Sequence, residues 1–398
     1  MNKIVKIFTL SCLLATSAVS CIQDEAPNAE CDIITCTISP DSILLAVPVV
    51  ENEKVTIRIK PGEDISNLAP VFTITEGATI SPENGSAHDF LNAPNHTVNY
   101  TVTSEDGEWS KVYPVRISQK EIPSSFFFNT PKLDSQLKYY EINEADEYDE
   151  IVMTWATGNP GYVISGVAEK EAQLKYGAND YKEHVWEYFP STPVWNENHE
   201  VEYVRLETKS TGTFGKMVGM PIAAGNIFQG YFDLSMAISN PRGATKFGEP
   251  YRYEPKFFSG KYRYKAGAVM TDSKSNVLSG EKDTFSIYAL FFDTELDKNK
   301  DGSIQENEKI DYITGHIHQQ NFKDPYLVSV AMVEDTDETS EWKEFRVPFK
   351  SEGLQIDPDR LAKGKYKVGI VISSSIDGDV FKGAVGSCLD VKDLKLEH

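Results

Sequence analysis

The chain has 398 residues, of which 40% are hydrophobic and 25% are charged; 39 Lys and Arg against 60 Asp and Glu give a net charge of −21. A surface this anionic repels nucleic-acid backbones, so we expect no nucleic-acid partner. Aromatic residues make up 11% of the chain, a content that disordered acidic chains lack, and the length predicts two or three folded domains.

The N-terminus predicts export. Two lysines precede an apolar run over residues 7–15 that is too short to cross a bilayer, a pattern typical of a secretory signal peptide. The segment Ala18-Val19-Ser20-Cys21 resembles the lipobox of bacterial lipoproteins, in which a cysteine carries the lipid. Residues 22–25 resemble the acidic export tag of Bacteroidetes surface lipoproteins. We therefore expect a signal peptide over residues 1–20, a membrane anchor at Cys21 and a surface-facing outer membrane lipoprotein; an ordinary signal peptide is the alternative.

Residues 21–119 are predicted to form a small Ig-like β-sandwich. Period-two alternation over short runs indicates half-buried strands. It occurs at Val55–Ile59, Val71–Ile74, Val98–Val102 and Val112–Ile117. The segments that resemble the Ig-like spacer domains of Bacteroidetes surface lipoproteins are Asn67–Ile74, Gly77–Pro82, Asn99–Thr103 and Asp106-Gly107. Cys31 and Cys36 are either a small disulfide loop or two thiols.

Residues 120–131, with prolines at both ends, are interpreted as a linker, and residues 132–398 as a second domain. Helical periodicity is weak there, and the best candidate helix is Ala168–Tyr176. The clearest strands are Phe285–Phe292, Phe345–Phe349, Tyr366–Ser373 and Leu389–Leu394. Because strands and helices do not alternate, we predict a larger jelly-roll β-sandwich and an all-β protein.

Six segments of this second domain occur in a recognisable order. They are Trp155–Tyr162, Tyr203–Thr208, Ala224–Gly230, Tyr253–Pro255, Gly260–Gly267 and Ser373–Ser387. In this order they resemble the putative carbohydrate metabolism domain of Bacteroidetes lipoproteins, over roughly residues 150 to 396. The resemblance implies a jelly roll that looks like carbohydrate-binding modules, and a role in glycan handling.

Aromatic side chains that could stack on a sugar are the first candidates for a binding site, because they cover the apolar face of a pyranose ring while nearby polar groups bind its hydroxyls. Trp186 and Trp195 lie in a turn-rich stretch, and Trp155 leads into a turn that contains Asn159 and Tyr162. For each aromatic residue taken alone, packing in the core is the favoured explanation, because most large aromatic side chains serve packing first.

Asp377 and Asp379 flank a glycine and would point to one side of an extended chain. Glycoside hydrolysis needs two carboxyl groups on opposite sides of the scissile bond, roughly 5–10 Å apart, so the two residues are predicted to be polar ligands or a surface pair. No catalytic residue is predicted. His316 and His318 would share one strand face, where a solvated strand is favoured over a metal site.

A twelve-residue segment from Asp297 to Glu308 matches the calcium-loop pattern. Its predicted ligands are Asp297, Asn299, Asp301, Ser303 and Glu308. The flanks read as strands, unlike the helices of an EF-hand, so we expect one structural Ca²⁺ in a loop between strands. A metal-free turn is the alternative.

Together these patterns favour a surface-anchored, non-catalytic protein that binds glycans for carbohydrate metabolism. Its acidic surface favours a neutral polysaccharide as the ligand, with neighbouring glycan-uptake proteins as further partners. The first alternative is a glycoside hydrolase, or another glycan-active enzyme, on the jelly roll. The second is an adhesin or surface-assembly protein that binds another protein.

Overall fold

The computed structural model describes residues 27–398 except 46, 61, 62, 120, 135, 137, 146–150, 302 and 363. The signal peptide, Cys21 and Gly302 of the calcium loop lie outside the described residues. The chain divides into a smaller unit, Met1–Arg58 with Glu63–Ser118, and a larger unit, Ile59–Gly62 with Gln119–His398. Within the described ranges, we find no helix with the length and hydropathy needed to cross a membrane.

The smaller unit consists of two β-sheets. Its strands are β1 Ile33–Thr37, β2 Val49–Val50, β3 Val55–Arg58, β4 Val71–Ile74, β5 Thr79–Ser81, β6 Thr97–Thr103 and β7 Ser110–Ser118. One sheet has the order β2, β3, β7, β6, β5, with β3 parallel to β7, and the other pairs β1 with β4. Alternate residues of β6 and β7 are buried, including Tyr100, Tyr113 and Val115, which is the cause of the period-two pattern.

The strands of the larger unit form two large sheets and several small ones. They are β8 Ser125–Phe126, β9 Lys132–Leu133, β10 Tyr140–Ala145, β11 Ile151–Trp155, β12 Ser191–Trp195, β13 Val201–Glu207, β14 Lys209–Ser210, β15 Ile222–Ala223, β16 Asn226–Phe228, β17 Gly230–Phe232, β18 Thr245–Phe247, β19 Glu249–Pro250, β20 Phe257–Lys265, β21 Met270–Thr271, β22 Ser286–Asp293, β23 Ile313–Thr314, β24 Leu327–Met332, β25 Thr339–Pro348, β26 Lys350–Ser351, β27 Tyr366–Ser373, β28 Gly383–Ala384 and β29 Cys388–Glu397. The first large sheet has the order β12, β13, β29, β20, β25, and the second has the order β16, β27, β22, β24, β26.

The two large sheets pack face to face. Leu206, Tyr262 and Val391 of the first sheet share one hydrophobic core with Ile287 and Ile370 of the second. The second sheet is also covered on its other side, where a separate apolar cluster lies. The prediction of an all-β protein built from β-sandwiches is therefore confirmed, and burial on both faces explains the continuous apolar run of β22.

The helices among the described residues are short. The α-helices are Asn159–Val163, Val167–Asp180, Gly212–Met217, Pro241–Ala244 and Pro358–Ala362. The 3-10 helices are Asp41–Ile43, Pro94–His96, Tyr181–Tyr188, Leu234–Met236, Glu306–Glu308, Gly315–Ile317 and Gly378–Val380. The helix Val167–Asp180 contains the predicted Ala168–Tyr176, which ends directly before a break at Gly177 (φ 81°), and Ala168 and Ala172 are buried in one cluster with Val185.

Part of the segment interpreted as a linker belongs to the larger unit. Strand β8 pairs antiparallel with β29, and Leu396 N donates to Ser124 O at 2.8 Å. Phe126 and Phe128 are both buried in the core between the large sheets. Although prolines interrupt regular structure in this segment, the segment itself is packed into the larger unit.

Candidate functional site

A pocket of about 210 Å³ opens beside the second large sheet. Tyr288 of β22 lines it, together with side chains from segments 158–165, 211–224, 232–245 and 373–381. All four segments contain short helices, so connections form most of the pocket wall, while strands β16, β22 and β27 also contribute side chains. Such connections are where binding residues concentrate on a rigid scaffold.

Most of the pocket wall is apolar, and the apolar surface continues to its mouth. Ile164, Phe214, Val218 and Ile238 line the pocket and are each between 39% and 47% exposed. Clustered apolar side chains at an opening are unusual on a chain of net charge −21. An apolar cavity with an exposed apolar rim is typical of a ligand-binding site.

The polar part of the pocket contains an ion pair. Arg242 Nε donates to Asp379 Oδ2 at 2.8 Å, and His318 Nδ1 lies 3.9 Å from Asp379 Oδ1. Among the described residues, Arg242 Nη2 and Asp379 Oδ1 are buried without a hydrogen-bond partner. Burial raises the pKa of Tyr288, and the charge of Asp379 adds to that effect. The pocket therefore contains the ion pair Arg242–Asp379, in which each side chain keeps one polar atom free to form a further hydrogen bond.

Two asparagines fix the segment that precedes the pocket. Asn159 Nδ2 donates to Ser191 O at 2.8 Å, and Ser191 N donates back to Asn159 Oδ1 at 3.2 Å. Gly158 N donates to Asn226 Oδ1 at 2.8 Å. Tyr162 of the same segment lines the pocket, and its hydroxyl donates to Ser210 O at 3.0 Å.

Asp283 fixes the segment that carries Asp379. Its Oδ2 accepts hydrogen bonds from Ser375 Oγ at 2.6 Å, Ala384 N at 2.8 Å and Ser387 Oγ at 2.6 Å. Asp283 is buried, and burial raises its pKa even though these donors oppose the shift. The carboxylate therefore closes residues 375–387 into a loop that presents Asp379 to the pocket.

Trp155 is a core residue. It is 2% exposed, its ring packs edge-on against Phe126 at 5.3 Å, and its Nε1 donates to Glu144 Oε1 at 2.9 Å. Asn159, which is also buried, binds the backbone as described above. The prediction that these two residues contact a ligand is therefore corrected, since neither side chain is accessible. Tyr162 does line the pocket.

Trp186 and Trp195 come together, although in regular elements rather than in the predicted loops. Trp186 lies in the 3-10 helix Tyr181–Tyr188 and Trp195 ends β12. Their ring centroids are 5.4 Å apart, and Tyr140 contacts both. The three rings are half-buried and pack edge to face against one another. None of the described tryptophans lines the pocket.

Asp377 and Asp379 have different environments. Asp377 directly precedes the 3-10 helix Gly378–Val380 and Asp379 lies within it, so the chain is not extended here and the expectation that the two residues share one face is corrected. Asp379 lines the pocket, whereas Asp377 Oδ2 lies 3.4 Å from Lys382 Nζ outside its lining. A Cβ on Gly378 would lie 2.5 Å from Ala224 Cβ, so only glycine fits between them.

The predicted calcium loop is a series of tight turns. Asp301 N donates to Asp297 Oδ1 at 3.2 Å, and Ser303 N donates to Asp301 Oδ1 at 2.9 Å. Glu308 is buried, and its two carboxylate oxygens accept hydrogen bonds from the backbone N–H groups of Lys298 and Gln305. Among the described residues, no three His, Cys, Asp or Glu side chains are grouped closely enough to hold a metal ion. The donor types suit calcium, but the carboxylates would have to approach one another.

Several pocket residues were missed by the sequence reasoning. Arg242 follows an Asn-Pro turn, and Phe214 lies in a six-residue helix that has no periodicity to detect. His318 was expected on a solvated strand, but it directly follows the 3-10 helix Gly315–Ile317 and lines the pocket. The His316–His318 pair is the sequence signal for this part of the pocket, but it lies at a 3-10 helix and not on the predicted strand.

Comparison with known proteins places this site in a carbohydrate-related domain. A solved structure described as a putative glycoside hydrolase from Bacteroides thetaiotaomicron is 38% identical, with a TM-score of 0.75, over 94% of this chain and 99% of that one. A second, described in the same way and from Bacteroides vulgatus, is 37% identical, with a TM-score of 0.56, over 70% of this chain and 98% of that one. No curated protein shows a match to the chain.

Two family models match along the chain. Residues 33–117 match the N-terminal domain of SGBP, the surface glycan-binding proteins. Residues 127–397 match the model described as the putative carbohydrate metabolism domain. The second match covers well over half of the chain and confirms the resemblance found in the sequence. The protein therefore belongs to the putative carbohydrate metabolism domain family.

Proposed function

We propose that the protein is a surface-anchored glycan-binding protein that captures neutral polysaccharide in the pocket without cleaving it. The observation that carries this proposal is the pocket itself, in which exposed apolar side chains surround the Arg242–Asp379 pair. Sugar recognition combines apolar contact with a few polar groups that hold hydroxyls. The two family matches, to a carbohydrate-metabolism domain and to SGBP, support the same class of ligand.

The number of carboxylates in the described pocket lining favours binding over hydrolysis. Asp379 is the single carboxylate among the described residues that line the pocket, and Arg242 already holds it. Most glycosidases need an acid and a second carboxylate that acts as a base or nucleophile. Hydrolysis stays the second candidate because the two solved relatives are described as putative glycoside hydrolases.

We further propose that a lipid on Cys21 anchors the protein to the outer membrane, with the larger unit facing outward. The lipobox-like segment and the acidic tag after it support this arrangement. The SGBP match supports cell-surface association. Neighbouring glycan-uptake proteins would receive the captured polysaccharide.

The test is a glycan array of neutral polysaccharides, combined with an assay for new reducing ends. We expect binding without release of reducing ends. Asp379→Asn should weaken binding by about tenfold or more, because a charged hydrogen-bonding group is lost from the site. Asp377→Asn, two residues away and outside the pocket lining, is the matched control and should bind like the parent.

Three outcomes would count against this function. Release of reducing ends would establish the hydrolase. Equal loss in both variants would place the effect on loop structure rather than on the pocket. Absence of binding to every glycan on the array would favour the adhesin or surface-assembly alternative.

A further inference from the structure

The pocket is more apolar than an unsubstituted sugar requires. Phe214, Met220, Ile222 and Phe232 line it, and the ion pair Arg242–Asp379 is its charged group. The hydroxyls of an unsubstituted pyranose lie around the edge of the ring, and only the C–H groups of its faces are apolar. Hydroxyls that face such a wall would lose water without gaining partners, which is unfavourable.

We propose that the pocket selects sugar units that carry a short acyl group, with an acetyl ester on a neutral glycan as the defining case. This inference rests on the proposed function and names the ligand of the same site. The acyl methyl group would lie against the apolar wall, where its burial is favourable. The sugar hydroxyls would lie at the polar end, within reach of Arg242 and Asp379.

The size and charge of the pocket agree with this ligand. Sites for drug-sized molecules measure roughly 300–1,000 Å³, so a cavity of about 210 Å³ suits one substituted sugar ring rather than several. The opposite charges of Arg242 and Asp379 offset one another at 2.8 Å, so the pocket does not demand a charged ligand. A hydroxyl can both accept from a guanidinium and donate to a carboxylate, the two kinds of group left unpaired there.

The apolar rim offers matched variants for a test. Phe214 and Met217 lie one helical turn apart in the helix Gly212–Met217. Phe214 lines the pocket and is 44% exposed, whereas Met217 is 80% exposed and lies outside the lining. Both can be replaced by Ala without opening the core, so differences between the two variants report on the pocket.

The experiment compares pairs of ligands that differ only in acylation. Acetylated xylan, mannan and glucan oligosaccharides would be titrated against the mature protein beside the same preparations after alkaline deacetylation. We expect at least one acetylated member to bind about tenfold or more tightly than its deacetylated partner, the discrimination that a small apolar group gives in an apolar pocket. Phe214→Ala should abolish this ratio, and Met217→Ala should preserve it.

The possible results separate the two proposals. Equal binding of acetylated and deacetylated partners would overturn the acyl selectivity while leaving glycan binding intact. A ratio that persists in Phe214→Ala would overturn the assignment to the pocket. Binding to none of the glycans, together with retention on phosphatidylcholine vesicles or on an apolar peptide, would overturn both and assign the pocket to that ligand.

Discussion

Glu144 is a carboxylate in the core of the larger unit, and its environment makes stability depend on pH. Oε1 accepts hydrogen bonds from Phe128 N and Trp155 Nε1, and Oε2 accepts one from Phe127 N. Burial raises the pKa of Glu144 to about 7, although the three donors oppose the shift. In the window between the ordinary value of 4.5 and about 7, the folded state therefore keeps a proton that the unfolded state has released.

Because the folded state binds more protons there, stability falls as pH rises through this window. We expect the free energy of unfolding to fall by up to about 3 kcal/mol between pH 4.5 and pH 8 on account of Glu144. Glu144→Gln should remove this part of the pH dependence, since it cannot ionise yet keeps an acceptor for Phe128 and Trp155. Urea denaturation at both pH values measures it; identical pH dependence in parent and variant would contradict the assignment.

Single residues also show where prediction from sequence fails. For Trp155 the sequence favours the core but keeps a sugar-binding role as a candidate, because a tryptophan beside a turn fits both. What decides the matter is Glu144, eleven residues away, which accepts the indole N–H in the core. Arg242 and Asp379 are 137 residues apart, and no local pattern predicts that they pair.

At the scale of elements, strands were easier to predict than connections. Strands β4 and β27 have the predicted bounds, since alternation or a continuous apolar run is a local property of the sequence. The helix Ala168–Tyr176 is predictable up to the break at Gly177, whereas the helices Asn159–Val163 and Gly212–Met217 are too short to show a helical period. Most of the pocket lining comes from such short helices and connections, which is why the site was harder to predict than the sheets.

The prediction at the scale of elements concerns calcium binding by the loop Asp297–Glu308. We propose that it binds one structural Ca²⁺ through Asp297, Asn299, Asp301, Ser303 and Glu308. Hard oxygen ligands from this spacing suit calcium, and extracellular calcium is abundant enough for a modest affinity to suffice. Isothermal titration of the mature protein with Ca²⁺ should show one site, which Asp301→Ala removes. Asp311→Ala, outside the motif, should keep it; absence of heat in the parent would refute the site.

At the scale of the whole molecule, the net charge of −21 favours neutral ligands, and the N-terminal sequence predicts a membrane anchor. We expect mass spectrometry of membrane fractions to find a diacylglyceryl group on Cys21. Cys21→Ser should abolish the adduct and release the protein from the membrane fraction. A soluble parent protein cleaved at another position would instead establish an ordinary signal peptide.

The pairing of β8 with β29 has a consequence for how the larger unit combines with other sequences. The backbone bond between Leu396 N and Ser124 O brings the start and end of residues 119–398 to adjacent strands of one sheet. A domain whose ends meet can be inserted into a surface loop of a host protein, or be permuted, with short joints. Residues 125–397 thus begin with β8 and end with its neighbouring strand β29, which is the geometry that such an insertion requires.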